Sequence, residues 1–216
     1  MSKSKMILRT TFIDRACHWT VVISFFLVAL SGIALFFPTL KWLTETFGTP
    51  QMGRILHPFF GVLIFVVLMF MFVRFVHHNI PDKQDLPWIK GIVEVLKGNE
   101  HKVADVGKYN AGQKMMFWSI MSLIFVLLVT GVIIWRPYFT HYFPIVVVRW
   151  SLLIHATAAI VLIHAILIHM YMAFWVKGSI TGMIEGKVSR RWAKKHHPRW
   201  YREVEAAERE VQEESK

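Results

Sequence analysis

Four stretches of this chain, 16–37, 57–76, 115–135 and 151–176, run for about twenty residues each with no Asp, Glu, Lys or Arg except Arg74 near one end. At about 1.5 Å of rise per residue, each is long enough to cross roughly 30 Å of hydrocarbon. Inside a bilayer the backbone must satisfy its own hydrogen bonds, and the helix does so within one segment. The predicted fold is therefore an all-α membrane protein built on a four-transmembrane-helix bundle. An N-terminal segment (1–15), the transmembrane domain (16–176) and a C-terminal tail (177–216) follow as its parts.

The chain is 55% hydrophobic yet carries 25 Lys plus Arg against 14 Asp plus Glu, so the charge must lie between the spans. Lys3, Lys5, Arg9 and Arg15 precede the first, six lysines (Lys83, Lys90, Lys97, Lys102, Lys108 and Lys114) separate the second from the third, and ten basic residues follow the fourth. The other two loops hold Lys41 with Arg54 and Arg136 with Arg149. The positive-inside rule then puts both termini in the cytoplasm. The net charge of +11 is a topology signal, and binding to nucleic acid is excluded as its meaning because the basic residues flank bilayer spans.

The first span has a basic lead-in like a signal peptide, but it is too long for an h-region and has no small-x-small site before Phe36 and Phe37, so it is read as retained. A single cysteine, Cys17, allows no internal disulfide, no iron–sulfur site within this chain and no C-x-x-C-H attachment of a covalent haem. Between spans two and three, segment 86–96 has Trp88, Ile92, Val95 and Leu96 near helical spacing, which predicts a helix along the inner surface. Segment 190–197 is basic, and the Glu-rich end beyond it is expected to be solvated.

Histidine is the residue type that gives the spans a chemistry. His155 and His169 are fourteen residues apart on one span, a net rotation of about 40° and a separation of roughly 21 Å, so they share a face at two depths. His18 starts span one at the cytoplasmic level of His169, and His57 starts span two at the outer level of His155. Two couples at two levels, each taking one ligand from span four, describe two stacked bis-histidine haem sites. The other ring nitrogen of each histidine needs an acceptor, and the carbonyls of Asp14 and Ser151, or the Asp14 carboxylate, are the candidates for His18 and His155.

His164 is rotated about 180° from His155 and about 140° from His169, so it is expected to make a structural or subunit contact. His77, His78, His101, His141, His196 and His197 occupy end or loop positions and are expected to be solvated. Gly32, Gly61 and Gly131, with Ala156, Ala158 and Ala159, are small enough to admit a flat cofactor between helices or simply to allow close packing. Pro58 suggests that a helix starts at His57, leaving that ring shallower than His155. Asn110 and Gln113 ahead of span three have the spacing of a capping box. The functional alternative is a polar pocket that hydrogen-bonds a quinone carbonyl.

The segments FIDRACHWT, GRILHPFFG, HKVADVGKYNAGQKMMFW and HAILIHMYMAFWVKG resemble the b-type cytochrome (gamma) subunit of bacterial membrane-bound respiratory formate dehydrogenase, within a wider group that includes hydrogenase b-type cytochromes. The resemblance covers nearly the whole chain and is weakest beyond about Arg202. It implies two non-covalent haem b groups, held by His18 with His169 at the inner site and by His57 with His155 at the outer one. It further implies an outward-facing molybdenum catalytic subunit, an iron–sulfur subunit that delivers electrons, and menaquinone reduction at a pocket matching Asn110, Gly112 and Gln113. The expected setting is the bacterial inner membrane in anaerobic respiration, with protons for quinol taken from the cytoplasm and formate oxidised on a partner subunit.

Competing functions are a hydrogenase cytochrome b, a histidine-lined transporter of metal ions or protons, and a passive anchor. A transporter predicts a continuous polar path, and the four spans contain no intramembrane carboxylate to follow the histidines. An anchor has no use for them.

Overall fold

The computed structural model describes residues 6–99 and 103–214. Lys3, Lys5, Lys102 and Lys216 of the charge count, and His101, lie outside the described residues. In chain order the elements are β1 (Met6–Leu8), α1 (Phe12–Phe36), α2 (Pro50–Phe75), α3 (Asp85–Lys90), α4 (Ile92–Leu96), α5 (Ala111–Ile134), α6 (Ile145–Trp175), α7 (Ser179–Ile184), β2 (Lys187–Ser189), α8 (Arg190–His196) and α9 (Pro198–Glu214). Helices α1, α2, α5 and α6 are long and apolar enough to cross a membrane, as the uncharged runs require.

Each of the four begins several residues ahead of its uncharged run, because a helix propagates through polar residues until a cap or a proline stops it. Asp14 sits in the first turn of α1, where a carboxylate favours the positive end of the helix dipole. Pro50 opens α2 at the position where a missing N–H costs nothing. The Pro144 carbonyl accepts from Val148 N at 3.2 Å to start α6.

The largest departure from expectation concerns His57. Pro58 lies inside α2, so His57 is within the helix and not at its start. The proline withholds one donor, the one owed to the Arg54 carbonyl, and the helix continues across it.

The chain divides into two compact units. The first comprises Ile13–Arg74 and Trp118–Tyr171. Its buried centre is Ile64, Leu68, Ile124 and Leu162, with Val21, Phe25 and Val28 packed against it. Leu162 is seven residues from His155 and seven from His169, a spacing that returns nearly to the same helix face. An apolar plug thus fills the unit between the two histidine levels. Because lipid is as apolar as these side chains, its gain is close packing and not removal from water.

The second unit comprises Met1–Phe12, Phe75–Phe117 and Met172–Lys216. β1 pairs antiparallel with β2, Met6 opposite Ser189 and Leu8 opposite Lys187. Ile7, Val188, Ala193 and Trp200 form its core, with Trp192, Tyr201 and Val204 against them. Gly178, at φ 93°, lets the chain turn out of α6 in a left-handed conformation. The basic segment and the Glu-rich end meet here: Arg190 bonds Glu205, and also Glu208 at 2.6 Å. The end is a helix, α9, docked through Trp200.

Two expectations are corrected in this unit. Segment 86–96 is two short helices, α3 and α4, broken at Gly91, and Trp88 turns inward to 7% exposure. His197 is not solvated: it is 2% exposed, and its Nδ1–H donates to the Gly107 carbonyl at 2.8 Å. The strand pairing between the two ends of the chain draws residues 196–200 into the core, which end-of-chain position alone does not reveal. Arg9 stacks over Trp200 at 4.5 Å and donates to the Lys108 carbonyl at 2.5 Å. Burial, and then the charge of Arg9, lower the His197 pKa to about 3, so this ring is neutral at neutral pH.

Two histidine pairs between the helices

Within the first unit the four intramembrane histidines meet as two couples. The His57 and His155 ring centres are 6.4 Å apart, and those of His18 and His169 are 6.5 Å apart. With roughly 1 Å from a ring's centre to its nitrogens, a nitrogen of each ring turned toward its partner would stand roughly 4 Å from the other. That is beyond hydrogen-bonding reach and equals two metal–nitrogen bonds of about 2 Å placed end to end. His18, His57 and His155 are half-buried and His169 is exposed.

A bare ion is a poor fit to these couples. Among the described residues no group of three or more His, Cys, Asp or Glu side chains could hold a metal ion, and two nitrogens leave a zinc or copper coordination sphere half filled. A porphyrin brings four nitrogens of its own and asks the protein only for axial ligands. The residues present therefore fit haem b, held without covalent attachment.

The rings of the His57–His155 couple each meet a hydroxyl of a neighbouring helix. Ser31 Oγ donates to the Leu27 carbonyl at 2.8 Å and lies 2.9 Å from His57 Nδ1. Its one proton being engaged, it accepts from His57 Nδ1–H. Thr130 Oγ1 repeats this on α5, donating to the Val126 carbonyl at 2.7 Å and accepting from His155 Nδ1–H at 3.0 Å. Both rings then carry the lone pair on Nε2. The neighbouring glycines make room: a Cβ on Gly32 would lie 3.2 Å from His57 Cε1, and one on Gly131 would lie 3.3 Å from His155 Cε1. Gly61 has nothing within 4 Å of its side-chain direction and gives no such clearance.

The expected acceptors are thereby replaced. His155 uses Thr130 on the facing helix and not the Ser151 carbonyl. Asp14 takes Arg74 Nε at 2.8 Å, and His18 Nδ1 is buried with no hydrogen-bond partner among the described residues. His164 Nδ1–H donates to the Ile160 carbonyl at 2.8 Å from an exposed position, in keeping with a structural role and apart from both couples.

Ser31 and Thr130 escaped the sequence reading, although a signal for them exists. A hydroxyl–glycine pair recurs near the end of α1 (Ser31-Gly32) and of α5 (Thr130-Gly131), with the bonded histidine 26 and 25 residues further on. The same local arrangement thus occurs once on each hairpin, in a chain whose sequence shows no longer internal repeat.

In the second unit, Asn110, Gly112 and Gln113 come together at the start of α5. Asn110 Oδ1 accepts from Gln113 N at 2.9 Å, and Gln113 Oε1 accepts from Asn110 N at 3.0 Å, which closes the capping box. The box consumes both amide oxygens and leaves the two NH₂ groups as the side-chain donors. A Cβ on Gly112 would lie 3.2 Å from the Trp88 ring. Behind Asn110 a cleft lined by Asp82, Asp85, Trp88, Tyr109 and Arg199 has room for about one water, about 10 Å³. It is too small for a quinone ring, so a quinone would meet the amides from outside that cleft. Lys114 Nζ, buried, bonds Asp85 at 2.9 Å and Asp82 at 3.2 Å. Burial would raise the Asp82 pKa, but the hydrogen bonds from Arg199, Gln84 N and Lys114 outweigh it and hold it at about 2.

Comparison with known proteins agrees with the helical frame. The profile of the prokaryotic cytochrome b561 family matches residues 9–186. The chain is 87% identical over 208 residues, 96% of both chains, to the cytochrome b556(Fdn) subunit of the nitrate-inducible formate dehydrogenase of Escherichia coli K12. It is 54% identical to the formate dehydrogenase cytochrome b556 subunit of Haemophilus influenzae, over 94% of this chain and 85% of the relative. It is 48% identical to the formate dehydrogenase cytochrome b556(fdo) subunit of E. coli K12, over 94% of this chain and 96% of the relative.

Proposed function

Because the chain belongs to the prokaryotic cytochrome b561 family, we propose that it is the membrane cytochrome b subunit of a respiratory formate dehydrogenase, carrying electrons across the bilayer to menaquinone. The observation that carries this reading is the two histidine couples at 6.4 and 6.5 Å, one at each level of a four-helix unit. The names of the relatives favour formate over hydrogen as the upstream reductant, and the difference between 87% and 48% identity favours the nitrate-inducible type.

Haem b held by two histidines supplies a six-coordinate, one-electron carrier. The chain's own residues do the rest. His57 and His155 hold the outer position, and His18 and His169 the inner one. Ile64, Leu68, Ile124 and Leu162 between them exclude water, so that electrons cross the bilayer and protons do not follow them. The Asn110 and Gln113 NH₂ groups donate to a quinone carbonyl, and the protons for quinol enter from the cytoplasmic side. Formate is oxidised on a molybdenum-containing partner, and an iron–sulfur partner feeds the outer site. With the chain in the inner membrane and both termini on the cytoplasmic side, a topology that the distribution of basic residues favours, inward electron flow charges the membrane.

An absorption spectrum of the assembled complex tests the reading. Dithionite should produce a low-spin b-type spectrum with two haems per copy of this chain. A folded, assembled complex without haem would end the proposal.

A further inference from the structure

The ring nitrogens that point away from the couples are held differently in His57 and His155 than in His18. His57 and His155 each donate Nδ1–H to a buried hydroxyl, Ser31 being wholly buried and Thr130 6% exposed. Each hydroxyl is itself pinned by giving its proton to a carbonyl one turn back in its helix. His18 Nδ1 is equally removed from solvent and has no partner among the described residues.

An acceptor on Nδ1–H pushes electron density toward Nε2 and makes the imidazole a more basic ligand. A more basic axial ligand favours the ferric over the ferrous ion, so hydrogen bonding around the ligands is one of the protein's levers on reduction potential. From the geometry we infer that Ser31 and Thr130 are positioning residues that set the outer site's potential below that of the inner site. This rests on the ligand reading above. The hydroxyls do so from both axial sides at once, because the hydroxyl–glycine pair occurs on both hairpins. The consequence is direction: an electron arriving at the outer couple runs downhill to the inner one, toward the quinone.

The repeat also separates this role from ordinary packing. A hydroxyl in a membrane helix satisfies itself by bonding back to its own helix, and Ser31 and Thr130 already do so. The lone pair that accepts from the histidine is therefore not needed for the helix. A Cβ on the glycine next to each hydroxyl would lie 3.2 or 3.3 Å from the ring's Cε1, so glycine leaves the imidazole room to lie where the hydroxyl can reach it.

The test is a spectroelectrochemical titration, with low-spin electron paramagnetic resonance, of the assembled complex carrying Ser31→Ala, Thr130→Val, both together, or Thr130→Ser. Haem content is measured on the same samples. The expected result is an upward shift of the lower-potential haem in each of the first two variants and a larger one in the double variant. The other haem should be unmoved, and Thr130→Ser should restore the wild-type value. Loss of the outer haem in Thr130→Val with retention in Thr130→Ser would also support the assignment. Two bound haems with unshifted potentials in the double variant would overturn it while leaving the cytochrome reading intact. So would loss of the haem in the Val and Ser variants alike, since packing would then be the cause. A wild-type complex without two haems would instead sink the cytochrome reading itself.

Discussion

Asp14, at the start of α1, accepts a hydrogen bond from Arg74 Nε at 2.8 Å near the end of α2. The carboxylate is 7% exposed and the guanidinium 36%, so the pair ties the two helices together at the level where their charges leave the apolar region. Replacing Arg74 by Leu should lower stability by about 1–3 kcal/mol, since a buried charged acceptor loses a charged partner. Thermal unfolding in detergent would measure it, and a change below about 0.5 kcal/mol would mean that the pair is merely a surface contact.

Ligand identity is tested one histidine at a time. Replacing His155 with Leu, which offers no donor to iron, should leave one haem per chain, the one held by His18 and His169, whereas His164→Asn should leave both. Two normal haems after loss of His155 would refute the pairing.

The glycines separate a structural requirement from general smallness. Gly131→Val should expel the haem proposed between His57 and His155, because even a Cβ there meets His155 Cε1 at 3.3 Å. Gly61→Ala should be silent, since its direction is open. Haem content of the two variants, compared at equal protein, decides the point.

The capping role of Asn110 and its proposed contact with quinone can be parted by one substitution. Asp at this position keeps a good N-cap but removes the NH₂ donor. Asn110→Asp should therefore preserve stability while raising the KM for a quinone analogue by about tenfold, the value of one lost hydrogen bond. An unchanged KM would confine Asn110 to capping.

The spans were legible because four uncharged runs have one physical solution, and the couples were legible because fourteen residues return a helix to nearly the same face. Helix ends were not, since a helix follows its own hydrogen bonds and not the edge of hydropathy; His57 was misplaced for that reason. Ser31 and Thr130 were hidden because a lone hydroxyl in a transmembrane helix reads as self-satisfied, and only the facing helix shows its second bond. His197 was hidden because its partner, the Gly107 carbonyl, is ninety residues away.

That buried histidine makes the stability of the second unit depend on pH. Its folded pKa of about 3 lies below the unfolded value of 6.5, so between those values the unfolded state binds the extra proton. Stability is then fully present above pH 6.5 and is lost as pH falls toward 3, by about 1 kcal/mol at about pH 5.5. The protection factors of the β1 and β2 amides, each observed exchange rate being referred to the intrinsic rate at the same pH, should fall over this window in the wild type. In His197→Gln, where an amide can still donate to the Gly107 carbonyl and takes up no proton, the fall should flatten. His77, His78 and His196 lie in the same unit, and if one of them governs the response, the wild-type and variant profiles will coincide.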